Sequence, residues 1–253
     1  MMIVQSAERS GWLFAFLLLL FGTTRSAERT ANPPVRAAPP VPAAAKAKTG
    51  TIAGTVFYQA DPKRRWRQGR YYIADPAGGQ LAEAVVALVG KDLGKSEAAA
   101  RPATTVIDQK NFQFTPETVA IRAGDRVKFL NSDKELHNVN VFHKLHSFNV
   151  NMPPGGEHFE RFEHANDIRR PYRLGCVYHG AMRGWIYVFD HPFYQLTRRD
   201  GRYRLENVPP GKYRLEMVHP AGQLRWSEVI EVTAGQVTRK DIRVSPDNSW
   251  NRR

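Results

Sequence analysis

A chain of 253 residues, 42% of them hydrophobic, is long enough to bury one large core or two small ones. Its single cysteine excludes an internal disulfide framework. A formal net charge of +13 comes with no nucleic-acid-binding motif, so the basic surface favours acidic partners or anionic surfaces over nucleic acid.

The N-terminus reads as an export signal over residues 1–27. Arg9 precedes an apolar run, residues 12–21, followed by small and polar residues. That run is shorter than the roughly 20 apolar residues needed to span a bilayer and lacks the polar face of an amphipathic helix. The cleavage site is imperfect: cutting after Ser26 places Thr24 three positions back, and cutting after Ala27 places Arg25 there. Cleavage would leave a periplasmic or extracellular protein with no transmembrane span; an uncleaved signal would leave it membrane-associated. Residues 28–48 hold five prolines among alanines, which reads as an extended tether.

From Thr51 onward the pattern is almost entirely strand-like. Ile52, Val56 and Tyr58 alternate, as do Ala84, Val86 and Leu88. Between them Lys63, Arg64, Arg65, Arg67 and Arg70 interleave with Trp66, Tyr71 and Tyr72, read as a solvated, positively charged strand pair. A polar, alanine-rich stretch, residues 91–104, interrupts the pattern as a linker. Strand signals then crowd together, at Phe112 and Phe114, Val119 and Ile121, Val127 and Phe129, Val139 and Val141, Phe148 and Val150, Tyr172 and Leu174, and Ile186 and Val188. Their spacing predicts a β-sandwich over residues 104–190. Further strands are predicted at Tyr203 and Leu205, at Tyr213 to Met217, at Val229 to Val232, and at Ile242 and Val244, separated by Asp200–Gly201 and Pro209–Pro210–Gly211 turns. Neither residues 49–92 nor residues 192–247 supply enough strands for a core of their own. The economical solution is that they pair into one sandwich, with residues 104–190 inserted between them.

The lone cysteine sits in Cys176–Val177–Tyr178–His179–Gly180–Ala181–Met182. In an oxidising compartment a free thiol is liable to oxidation unless buried or ligated. By composition alone, a His three and a Met six residues after a given Cys arises with a probability of roughly 0.0006, so coincidence is a poor explanation. Cys with two His and a distant Met is the donor set of a blue-copper electron-transfer site. The second His should come from a separate strand, because a rigid site anchors its ligands at separated points. Cys176 lies in register with Tyr172 and Leu174, so its side chain should point into the sandwich.

These residues resemble the cupredoxins, which place a Cys-x-x-His-x-x-Met loop between their last two strands; the spacing is that of amicyanin-like members. The pattern Leu136–His137–Asn138–Val139 after Val127–Lys128–Phe129–Leu130–Asn131 is similar to the family's other ligand segment. Phe112 to Pro116, Ala123 to Val127, and Met152–Pro153–Pro154–Gly155–Gly156 are also similar to family segments. The resemblance implies a Greek-key sandwich holding one mononuclear copper. His137, Cys176 and His179 would be equatorial ligands and Met182 the weak axial one, with Asn138 bonding to backbone near Cys176 to hold the two ligand loops together. Tyr178 and Gly180 flank His179 where many relatives carry proline. Tyr178, Pro153 and Pro154 would form a docking patch for a redox protein, with Arg183 as a positive rim suited to an acidic one.

A second resemblance lies in Asp200 to Leu205 and Val208 to Leu215, which are similar to the tyrosine-containing strands and Pro–Gly turn of carboxypeptidase regulatory-like domains. Gly54–Thr55–Val56 and Ala84 to Leu88 resemble the first two strands of that prealbumin-like sandwich. The likeness implies a structural module, and no His-Glu-x-x-His motif is present to imply peptidase chemistry.

The expectation is therefore an all-β, exported, non-enzymatic electron carrier. Copper storage or delivery, or a purely structural sandwich, are the rival readings. No catalytic residues are assigned. A trinuclear oxidase centre would need additional His pairs, and a thiolate-bridged dinuclear centre would need a second Cys. The remaining six histidines, His143, His146, His158, His164, His191 and His219, have no second soft ligand at useful spacing and are expected in surface or capping roles.

Overall fold

The computed structural model describes residues 48–63, 78–90, 93–94 and 102–250. The expected export signal, the tether apart from Lys48, and the basic run from Arg64 to Tyr72 lie outside the described residues. Among those described, the chain is all-β, with no α-helix and no helix long and apolar enough to cross a membrane.

Two strands come first, β1 (Gly50–Tyr58) and β2 (Val85–Val89). Nine follow without a long break: β3 (Thr104–Lys110), β4 (Gln113–Thr115), β5 (Thr118–Arg122), β6 (Arg126–Asn131), β7 (His137–His143), β8 (His146–Met152), β9 (Glu157–Arg161), β10 (Tyr172–Gly175) and β11 (Arg183–Phe189). Six more complete the chain: β12 (Tyr194–Leu196), β13 (Arg202–Val208), β14 (Gly211–His219), β15 (Leu224–Val232), β16 (Val237–Arg239) and β17 (Ile242–Val244).

Strands β3 to β11 form a central sandwich of two sheets, ordered β5-β11-β10-β7-β8 and β4-β3-β6-β9. The pairs β5·β11 and β3·β6 run parallel, so the chain crosses between sheets in Greek-key fashion. The remaining strands form a flanking sandwich, β12-β2-β14-β15 against β13-β1-β16, with β17 also paired to β1. Its strands thus come from both sides of the central sandwich in sequence. Gly54 allows one close approach within it, since a Cβ there would lie within covalent range of the Lys240 carbonyl.

Period-2 alternation explains both cores. Ile107, Phe114, Val127, Phe129, Val139, Val141, Tyr172 and Leu174 fill the central sandwich, and Ile52, Val56, Val86, Leu88, Leu215 and Met217 the flanking one. Strands β11 and β2 are buried on both faces. Ile186 and Val188 of β11 point into the central core, whereas Trp185, Tyr187 and Phe189 point outward. Val86 and Leu88 of β2 serve the flanking core, and Val85 and Ala87 face the other way. The outward sets meet with Ile168, Val218 and Ala221 in a third apolar cluster, the seam between the sandwiches. At that seam the Glu83 carboxylate accepts the Thr118 amide at 3.0 Å, and Arg169 forms a two-point ion pair with buried Glu216.

Candidate metal centre

One end of the central sandwich gathers the expected ligands. His137 opens β7 with its side chain fully enclosed, and Cys176 follows β10, buried beside Tyr172 and Leu174. The β10–β11 loop returns His179, half-buried, and closes on itself where the Met182 amide donates to the His179 carbonyl at 2.8 Å. The ligand atoms of His137, Cys176 and His179 all lie within 4.8 Å of one another, the only such group among the described residues. His137 Nδ1 is 3.0 Å from His179 Nδ1, which is 3.7 Å from Cys176 Sγ. Met182 is buried in the same apolar cluster as Cys176.

This arrangement fits a single metal ion. Donor atoms each about 2 Å from a shared ion are separated by roughly 3–4 Å. His137 Nε2 meets the Asp133 carboxylate at 2.8 Å, which holds the ring proton on Nε2 and turns the Nδ1 lone pair toward Cys176 and His179. The 3.0 Å separation of the two Nδ1 atoms suits one shared proton or one shared cation.

Asp133 and Phe112 were not foreseen as part of the site. Besides His137, the Asp133 carboxylate accepts the amides of Asn111 at 2.7 Å and Phe112 at 2.9 Å. Burial by itself would raise its pKa, but the Phe112 amide, His137 and the Asn111 amide together bring it below the usual carboxylate range. Asn111 and Phe112 both have positive φ, and this tight turn carries the Phe112 ring out to stand edge-on to His179 at 4.9 Å and to His137 at 5.4 Å. The loop bearing Asp133 is itself clamped, because the buried Asn131 amide donates to the carbonyls of Glu135 and Met152. Removing the carboxylate in Asp133→Ala is expected to weaken metal-ion binding about 10–100-fold, measured with Cu(II) as the probe by competition with a chelator of known affinity.

Asn138 makes different bonds from those expected. Its side-chain amide donates to Asn149 Oδ1 at 2.7 Å and to the Val150 carbonyl at 3.1 Å, across the β7–β8 hairpin. The antiparallel register sets Asn138 opposite Asn151, so the nearest acceptors belong to β8 and not to the Cys176 loop. The tie to that loop is Tyr178, whose hydroxyl donates to Asn151 Oδ1 at 3.0 Å. Pro153, Pro154 and Tyr178 are exposed, as are Phe112, Leu136 and Val177. Arg183 lies 3.4 Å from buried Glu117 and stacks over Trp185, at the seam.

The other described histidines lie elsewhere. His146 and His158 share the Glu160 carboxylate at 3.0 and 2.8 Å, and His143 stands edge-on to Tyr172. Buried His191 and His219 accept the amides of Phe193 and Gly222.

No family model matches this chain, and no curated protein matches it. Among solved structures, amicyanin from Paracoccus versutus (Thiobacillus versutus) is 23% identical, with 41% of this chain covering 97% of that one at a TM-score of 0.31. A reduced mutant of amicyanin is 19% identical, with 41% of this chain covering 98% of that one, also at 0.31. The copper-containing nitrite reductase of Thermus scotoductus is 20% identical, with 38% of this chain covering 25% of that one at 0.31. The chemical reading rests on the donor atoms themselves.

Proposed function

We propose that this is an exported mononuclear copper protein of the blue type, which carries single electrons between redox partners and is not itself an enzyme. The observation that carries this reading is the convergence of the His137, Cys176 and His179 donor atoms within 4.8 Å at a buried end of the sandwich. With Met182 as a weak fourth donor, they would hold the ion; when bound, it supplies a one-electron Cu(I)/Cu(II) couple at a cysteine thiolate.

The protein's contribution is rigidity and exclusion of water. His137 is fixed from behind by Asp133, and Cys176 is fixed by its place at the end of β10. His179 is held by the hydrogen-bonded turn to Met182 and by the edge of Phe112. A donor set fixed at separated points reorganises little when the charge of its ion changes, which favours fast transfer. His179 is the ligand nearest solvent, and the exposed Phe112, Leu136, Val177 and Tyr178, with Pro153 and Pro154, supply an apolar surface for a protein partner. In this proposal the flanking carboxypeptidase regulatory-like sandwich is a scaffold without chemistry of its own.

A carrier keeps its metal through turnover. Repeated chemical reduction and reoxidation in the presence of a competing chelator should leave copper bound at one equivalent. Loss of copper to the chelator within a few cycles would instead support storage or delivery.

A further inference from the structure

A cavity of about 350 Å³ opens at the seam, with Arg169, Arg173, Arg183 and Trp185 contributed by the central sandwich and Arg225 and Trp250 by the flanking one. That volume is within the range of small-molecule sites, which run from roughly 300 to 1,000 Å³. Four guanidinium groups on one cavity of this size repel one another unless anions offset them. Two are offset: Arg169 is paired with Glu216, and Arg183 with Glu117. Arg173 is exposed on β10, and neither it nor Arg225 has a carboxylate partner among the described residues. The Arg225 Nε is enclosed without an acceptor, an arrangement that costs free energy unless another group compensates.

The walls hold two of the four cations in place. Arg183 stacks on Trp185 at 5.6 Å, and Arg225 on Trp250 at 5.5 Å, which fixes the plane of each guanidinium. Trp250 is held in turn by its amide, which donates to the Gln223 carbonyl at 3.1 Å. Guanidinium planes fixed in this way suit bidentate recognition of carboxylates. The two cations without carboxylate partners line one cavity from different sandwiches, so a ligand that offsets both carries at least two negative charges, and the apolar wall at Trp185 and Val218 suits a carbon skeleton.

We propose that this seam cavity binds a small organic polycarboxylate, with Arg173 and Arg225 as its principal contacts. The site is independent of the metal centre and of the electron-carrier reading. Binding of such an anion would hold the two sandwiches together, because each contributes one of the contacts.

The test is calorimetric titration of the full chain with tricarballylate at constant ionic strength, with sulfate as a compact anion for comparison. Saturable one-to-one binding of the tricarboxylate is expected, weakened about tenfold or more in Arg173→Gln and likewise in Arg225→Gln. Arg243→Gln, which removes a cation stacked on Phe57 in β1, should leave the affinity unchanged. Because Arg173 is exposed, its replacement should leave the fold intact, and circular dichroism checks this. The proposal is overturned if no saturable binding occurs at millimolar ligand, if sulfate binds as tightly as the tricarboxylate, or if folded Arg173→Gln binds as well as the unsubstituted chain.

Discussion

Acidification from pH 7 to pH 4.5 should destabilise the chain by about 2–3 kcal/mol more than it destabilises a His219→Asn variant. His219 ends β14 with its ring wholly enclosed, and burial pushes its pKa down from 6.5 to about 4, offset in part by backbone contacts at Ala82 and at His219 itself. The folded chain therefore keeps this imidazole neutral where the unfolded chain protonates it. Stability is lost as pH falls through the unfolded value near 6.5, and the loss levels off below about 4. Asparagine is chosen because its carbonyl can still accept the Gly222 amide that now bonds to the His219 ring at 2.9 Å. Glu83 acts in the opposite sense: burial pushes its carboxyl up to about 7, so its destabilising contribution is relieved as pH falls from 7 toward 4.5. Only the difference between the two chains isolates the histidine. Urea unfolding of both at pH 7 and pH 4.5 measures it, and parallel pH dependence would contradict the assignment.

The second large effect lies at the seam. Arg169 reaches from the central sandwich to Glu216 on β14, whose side chain is only 1% exposed. Arg169→Ala leaves that carboxylate buried without its cation, and should cost about 2–3 kcal/mol at pH 7.5. The figure is set below the full cost of an enclosed pair because the Arg169 side chain is 41% exposed. The bond also raises the Arg169 pKa, through the hydrogen bond and charge of Glu216, so the arginine stays charged throughout the measurable range. The double variant Arg169→Ala with Glu216→Gln should recover a large part of the loss. A deficit unaffected by the second substitution would mean that Arg169 acts through packing alone.

The sequence made the alternating strands legible because one buried face leaves a period-2 trace. Val139 and Val141, Tyr172 and Leu174, and Tyr213 to Met217 all lie in strands. The strands it hid are those without that trace. Strand β9 is polar, with Phe159 its one large apolar residue and that one exposed, and β12 and β16 have three residues each. The seam was hidden for the opposite reason. Strands β2 and β11 are buried on both faces, so Val85 to Val89 and Trp185 to Phe189 read as continuous apolar runs that do not say what each face meets.

The metal centre divides along the same line. Cys176, His179 and Met182 share one loop, and their spacing alone pointed to the chemistry. Asp133 carries no such signal, because nothing local shows that its carboxylate accepts from His137, Asn111 and Phe112 together. In sequence Phe112 and Phe114 have the alternation of a strand. Positive φ at Asn111 and Phe112 breaks that alternation, leaving Phe114 in the core and Phe112 against the histidines. Arg183 likewise follows Met182 directly, but its ion pair is with Glu117, 66 positions away.

The central claim is most directly tested by titrating the purified chain with Cu(II) and recording the visible spectrum. An intense thiolate-to-copper charge-transfer band that saturates at one equivalent and is absent in Cys176→Ser is the predicted result. No such band, or one that persists in Cys176→Ser, would contradict it.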